Sequence, residues 1–366
     1  MMKNFLRLTL ALLGLSLGPQ VTSAAEPVRI CATVPELGSL ARAVGGDQVT
    51  VTVFAKGKED PHFVEAKPSF VRALSEADLF IELGLDMELG WAPVLVQNAR
   101  NPRILPGAPG FVNASSVITP LQVPTGGTDR SAGDVGPLGN PHYLLDPLNG
   151  LKVAGLIRDK LIAQRPDQRS YFETRYTAFA NALARALVGD ELAKRYGIAD
   201  VQKLALLFEN GKLPDFLAQQ GQRGLLGGWL GAMAPYYGLT VVDDHNMYPY
   251  FARRFGLKVF DHMEPTPGIA PTTKHLMELV HEMEAKHISV ILSAPYYDPR
   301  HAKFLAQQTG ATIIPFAHQA GSRPGTDEYL AFVDYNVRQL VSAAAHGHEE
   351  ERGGEKERER GGGHEE

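Results

Sequence analysis

In VRICATVPELGSLARAVGGDQVTVTVF (residues 28–54), strand-like and helical composition alternate. Val28 to Thr33 is an apolar, partly β-branched run that reads as a buried strand. Glu36 to Val44 has helical character, and Val49 to Phe54 returns to strand composition. Strand, helix and strand in such short order predict βα units on a mainly parallel sheet. Beyond it, Ser69 to Ala77 reads as a helix and Leu79 to Leu83 as a strand. The second half repeats the alternation. Strands are expected at Val201 to Phe208, Leu239 to Val242, Val259 and Phe260, Val290 to Ser293 and Ile313 to Phe316. Helices are expected at Tyr248 to Phe255, Thr272 to Lys286, Arg300 to Thr309 and Glu328 to Ala345.

Between the halves, Pro147 to Ala163 looks helical. Asp167 to Tyr196 then shows an apolar pattern through Tyr171, Phe172, Tyr176, Phe179, Leu183 and Leu187. At about 1.5 Å per residue, a helix of that length can cross from one lobe to another. Val123 to Gly139, rich in Pro, Gly, Thr, Ser and Asp, reads as a mobile loop. The fold class is therefore α/β: two lobes of mainly parallel sheet flanked by helices, with one long linking helix. The expected division is 1–25 for a signal peptide, 26–165 for the first lobe, 166–196 for the linking helix, 197–345 for the second lobe and 346–366 for a charged tail.

The beginning of the chain points to export. Lys3 and Arg7 precede a short apolar run, and small residues follow through Ala24 and Ala25, the layout of a cleavable signal peptide. Cys31, the single cysteine, does not sit at the signal-peptide junction and reads as a buried core residue, so lipid anchoring there is not expected. A Gram-negative periplasm is the expected location, and a monomer the expected state. Loss of Lys3 and Arg7 takes the formal charge from −5 to −7. With no basic stripe among aromatics, a nucleic-acid partner is not expected. The tail from His346 to Glu366 holds only Gly, Glu, Arg, Lys and His and has nothing to bury.

Two motif-like stretches carry no chemistry. Gly14-Leu15-Ser16-Leu17-Gly18 has the spacing of a hydrolase nucleophile turn but lies in the signal peptide. His281 and His287 are six residues apart, which places them on different faces of a helix rather than on one.

Three other histidines share a setting. Asp60-Pro61-His62, Asn140-Pro141-His142 and Asp244-His245-Asn246 each fall in turns beside an acid or a proline, two in the first half and one in the second. Ligands of parallel α/β sheets bind outside the carboxyl ends of the strands. A cleft between lobes could therefore gather the three rings. Neutral imidazoles are good zinc ligands, and Asp60, Asp146 and Asp244 are candidates to orient them through the second ring nitrogen.

These stretches, extended to Asn140-Pro141-His142-Tyr143-Leu144-Leu145-Asp146-Pro147 and Asp244-His245-Asn246-Met247-Tyr248-Pro249-Tyr250-Phe251-Ala252, resemble the metal-binding motifs of zinc and manganese ABC-transporter solute-binding proteins. Glu264-Pro265-Thr266-Pro267 and Asp334-Tyr335-Asn336-Val337 extend the resemblance over nearly all of the mature chain. It implies two α/β lobes joined by a rigid helix, metal at their interface, and delivery to an inner-membrane permease driven by a separate ATPase. It places the first three ligands on His62, His142 and His245. Manganese-type members carry a carboxylate at the third position, so His245 favours Zn2+ over Mn2+. His318 takes the place of the family's fourth ligand, an aspartate, with Asp298 or water as the other options. The family's His-rich loop has no counterpart in Val123 to Gly139. A zinc-dependent periplasmic hydrolase and a binding protein for a metal chelate are the competing readings.

Overall fold

The computed structural model describes residues 26–125, 136–266 and 268–343. The expected signal peptide, the middle of the 123–139 loop and the charged tail lie outside the described residues.

The first lobe opens as its strand-helix-strand stretch dictates. β1 (Val28–Ala32), α1 (Pro35–Gly45) and β2 (Val49–Val53) are followed by α2 (Pro68–Glu76), β3 (Leu79–Glu82), α3 (Ala92–Ala99) and β4 (Phe111–Asn113). β1 pairs with β2 in parallel from Val28↔Val49 to Ala32↔Val53, and the sheet order is β2-β1-β3-β4. Cys31 is buried, as its strand position requires, and burial pushes its thiol up to about 12.

α4 (Pro147–Gln164) and α5 (Arg169–Val188) follow, then α6 (Asp190–Glu209), α7 (Leu213–Gln219) and α8 (Gly228–Met233). The second lobe comprises β5 (Thr240–Asp243), α9 (Pro249–Phe255), β6 (Lys258–His262), α10 (Thr273–Ala285), β7 (Val290–Ser293), α11 (Pro299–Thr309) and β8 (Thr312–Pro315). A closing helix, α12, spans 329–343. The second sheet is also parallel, in the order β6-β5-β7-β8. Both sheets thus wind the same way, first to one side of the opening strand and then to the other. That reversal opens a crevice at the strands' carboxyl ends, where such sheets bind ligands.

α5 links the halves. It packs against α1 of the first lobe and α8 beside the second, burying Phe172, Phe179, Leu183 and Leu187. Each such side chain contributes about 1.5–3 kcal/mol. The helix stops at Val188, short of the expected Tyr196, because Gly189 turns the chain with φ of +83°.

Val201 to Phe208, expected as a strand, is instead the second half of α6. Val201, Leu204, Ala205 and Phe208 are buried while Leu206 is half exposed, which is helical spacing. The polar segment 209–224 forms α7, with Leu213 and Leu217 buried and its helix packed on α6. One continuous apolar core runs from β1 and α1 through α4, α5 and α6 to β7, β8 and α12, and a smaller cluster fills the space beneath α10 and α11.

Candidate metal centre

His62 lies in the loop after β2. Ladder pairing continues past that strand, with Phe54 N donating to Ala32 O and Ala55 N to Thr33 O, so the loop leaves from a fixed point. Trp91 Nε1 donates to Pro61 O at 3.0 Å, and His62 N donates to Asp60 Oδ1 at 2.9 Å. Asp60 therefore shapes the turn through the backbone of His62.

His142 is held by Asn140. The Asn140 amide nitrogen donates to Asn246 O at 2.8 Å and to Gln122 Oε1 at 3.0 Å, which fixes the amide's orientation. Its oxygen then accepts from His142 N at 3.0 Å and from His142 Nδ1 at 3.1 Å. The proton sits on Nδ1, and Nε2 carries the lone pair that a metal needs. Asn140 belongs to the first half and Asn246 to the second, so the same amide spans the cleft.

His245 follows β5. Its Nδ1 donates to the backbone carbonyl of Glu264 at 3.4 Å, again directing Nε2 as the donor nitrogen. Two of the three expected orienting acids, Asp146 and Asp244, act elsewhere. Asp146 caps α4 through Leu148 N and takes a two-pronged ion pair from Arg254. Asp244 accepts from Ala294 N, and burial raises its carboxyl to about 8. Backbone and amide oxygens, not the neighbouring carboxylates, orient the second and third rings. Sequence adjacency suggested the acids; only the folded chain reveals Asn140 and the Glu264 carbonyl.

The structure brings three of the four candidate histidines together. Ring centres are 5.6 Å apart for His62 and His142 and 6.2 Å for His142 and His245. Two imidazoles on a tetrahedral zinc at 2.0–2.1 Å would have ring centres about 5.2 Å apart. The rings thus stand somewhat wider than a zinc-bound set. Consistently, among the described residues no group of three or more His, Cys, Asp or Glu side chains is drawn tightly enough to hold a metal ion as it stands.

His318 lies apart. Its Nε2 donates to Glu59 O at 3.1 Å, and its ring packs edge-on against Tyr296 at 4.6 Å. Complete burial pushes its imidazole down to about 3. It shares a small cavity with His142, Glu36, Gln319, Met87 and Met247. Asp298, the competing donor, caps α11 and is gripped by the Arg300 guanidinium, whose hydrogen bonds hold its carboxyl down at about 2.

Two histidines escaped the sequence reading. His262 at the end of β6 donates from Nδ1 to Asp243 Oδ1, and its ring lies 6.4 Å from His245. Burial opposes its protonation, but the Asp243 carboxylate outweighs burial and raises its pKa. His301 on α11 approaches the Glu264 carboxylate at 3.9 Å. The signal for His262 was the strand register, which sets it opposite Asp243.

Glu36, on α1, is buried, and burial raises its carboxyl to about 8, against two backbone hydrogen bonds that lower it. A carboxyl whose pKa is higher in the folded state stabilises fully below its unfolded value of 4.5 and loses that stability as pH rises through 8. Glu36→Gln is therefore expected to flatten the fall in stability between about pH 5 and 8, by up to about 5 kcal/mol. Urea melts of both proteins across that range check the sign; parallel curves would contradict it.

The family model "ZnuA: Zinc-uptake complex component A periplasmic" matches residues 30–188 and 231–343. The chain belongs to this family. The manganese-binding lipoprotein MntA of Halalkalibacterium halodurans is 27% identical over 93% of this chain and 97% of its own length. The manganese ABC transporter substrate-binding lipoprotein PsaA of Streptococcus pneumoniae is 25% identical over 50% of this chain, and that match spans 56% of PsaA. The zinc-binding lipoprotein AdcA of Streptococcus pneumoniae is 22% identical over 82% of this chain and 52% of its own length. A crystal structure of ZnuA superposes with a TM-score of 0.62 at 19% identity, covering 87% of this chain and 99% of that one. A manganese-bound periplasmic metal binding protein from candidatus liberibacter asiaticus gives 0.60 at 16%, covering 87% and 99%. At such identities the structures speak for the fold alone. As a member of the ZnuA family, the protein is a metal-binding, substrate-binding component of an ABC transporter and not an enzyme, which removes the hydrolase reading.

Proposed function

We propose that the protein captures zinc in the periplasm of a Gram-negative bacterium, as a monomer, and delivers it to an inner-membrane permease. The cargo ion is held by Nε2 of His62, His142 and His245, with water in the fourth position. The observation that carries this reading is the convergence of three rings, from three separate turns and both lobes, to spacings of 5.6 and 6.2 Å. Nitrogen donors suit zinc better than manganese, whose preferred partners are oxygens. Relatives bear names that specify manganese, iron or zinc, so the choice of metal rests on this chain's donors. A small closure of the cleft, under about 1 Å per ring, would bring the set to zinc geometry.

Metal analysis of protein purified from the periplasm, followed by competition between zinc and manganese in calorimetry, tests the proposal. One tightly held zinc that manganese fails to displace is the expected result. Preferential retention of manganese would overturn the choice of metal.

The orienting role of Asn140 gives a second test. Asn140→Ala removes the acceptor of His142 Nδ1 and the tie to Asn246. Zinc affinity is expected to fall by about 10–100-fold, the usual effect of losing a partner that fixes a ligand histidine. An unchanged affinity in the same calorimeter would mean that the ring needs no such support.

A further inference from the structure

The segment after β8 crosses from the second lobe to grip the loop that carries His62. His318 Nε2 donates to Glu59 O at 3.1 Å. The Gln319 amide nitrogen lies 2.8 Å from Lys56 O, 3.1 Å from Gly57 O and 2.8 Å from Glu59 O. The two strands of chain are pressed so closely that a Cβ on Gly57 would sit 2.3 Å from the Gly321 backbone. On the other side, Glu36 Oε1 accepts from Ala320 N at 3.2 Å. Residues 318–320 are thus clamped between α1 and the His62 loop, both of the first lobe.

Within this clamp, three buried polar atoms have no protein partner: His318 Nδ1, Glu36 Oε2 and Gln319 Oε1. Their residues are each more than nine-tenths buried and line one cavity, with about 30 Å³ of room for water centres. Roughly 10–15 Å³ and two to four polar partners suffice for a bound water. Leaving such atoms unsatisfied is costly, so the cavity favours a polar occupant.

We propose that His318 is a positioning residue rather than a metal ligand: with Gln319 it holds the His62 loop from the opposite lobe, and with Glu36 it binds a buried water that locks the lobes around the ion. This rests on the zinc reading above. The Nε2–H of His318 is spent on Glu59, which leaves Nδ1 as the acceptor nitrogen facing the cavity. Its ring neighbour is Tyr296, whereas the rings of His62, His142 and His245 neighbour one another. Tyr296 in turn donates its hydroxyl to Met247 Sδ at 3.2 Å, next to the His245 turn. The clamp therefore touches the backbone of one ligand turn directly and the neighbourhood of another through one ring. Breaking it frees the His62 loop to move, and the expected consequence is faster release of the ion with an unaltered ligand set.

Zinc-edge X-ray absorption and stopped-flow zinc dissociation, on the full chain and on His318→Ala, test this together. The expected result is the same count of three imidazoles in both proteins, with dissociation about tenfold faster in the variant. His318→Gln, whose amide nitrogen matches the reach of Nε2 and can still donate to Glu59 O, should return to within about threefold of the parent rate. Gln319→Ala gives an independent variant, with release again faster and the imidazole count again unchanged. A parent with four imidazoles that falls to three in His318→Ala would make His318 a ligand and overturn the proposal. So would an unchanged dissociation rate in His318→Ala and Gln319→Ala. A high-resolution crystal structure of the parent should show water within hydrogen-bonding distance of His318 Nδ1, Glu36 Oε2 and Gln319 Oε1. A metal ion there, identified by anomalous scattering, or an empty cavity would count against it. Failure of the zinc reading would be distinct, since the parent itself would then bind no zinc; the comparison would be repeated with the metal it does hold.

Discussion

Arg254→Leu is expected to destabilise the protein by about 3–5 kcal/mol, the cost of stripping one partner from a buried ion pair. Arg254 is 2% exposed and grips Asp146 with both prongs, Nε to Oδ1 and Nη2 to Oδ2, each at 2.9 Å. Its third nitrogen donates to Ala205 O at 3.0 Å and pairs with Glu209 at 3.2 Å. One guanidinium on α9 therefore ties the start of α4 to the last turns of α6. Leucine would leave the Asp146 carboxylate buried with the Leu148 N–H and, as its one nearby cation, Arg253 at 3.7 Å. The remaining charge is the larger part of the cost, so adding Asp146→Asn should recover much of the loss. Urea denaturation of the parent, the single and the double variants separates these terms. A double variant less stable than Arg254→Leu alone would show that the carboxylate, not its lost partner, carries the energy. The pair also lies just beyond the turns of His142 and His245, so metal affinity should fall alongside stability.

His142→Ala is expected to produce the largest loss of zinc binding, about a hundredfold or more. It removes a donor outright, whereas loss of an orienting partner alone costs about 10–100-fold. His142 is the middle ring, within 5.6 Å of His62 and 6.2 Å of His245. His62→Ala and His245→Ala should each cost about tenfold or more by the same reasoning. Folding should survive, because Tyr143 and Leu144, not His142, fill the core beneath this turn. Calorimetric titration decides the matter: if all three alanine variants bind zinc as the parent does, the ion sits elsewhere. Because imidazole nitrogens bind metal only when neutral, zinc affinity should also weaken on acidification.

The architecture was legible because strand composition and turn residues alternate so regularly from Val28 onward. Residues 201–208 offered an apolar run that suits a strand, yet the buried set Val201, Leu204, Ala205 and Phe208 obeys the helical period. The long helix ended early at Gly189, a residue whose backbone freedom the apolar pattern alone does not reveal. β4, three residues long at Phe111–Asn113, is too short to stand out by composition. In the candidate site, the three turns could be found because each couples a histidine to Pro or Asp. What holds those histidines could not be found, since a backbone carbonyl such as that of Glu264 leaves no mark in a sequence. His318 was placed by its position in the chain, and its contacts with Glu59 depend on how the lobes meet.

The apolar core that passes without interruption from β1 to α12 bears on how an ion could leave. Two bodies that swing apart need a seam, a plane across which few side chains interlock. Here the seam is filled with close-packed aliphatic and aromatic groups, and opening it would expose them to water. At the proposed site, the escape of the cargo is then a matter of how quickly the histidine turns let go, with the bulk of the molecule standing still around them.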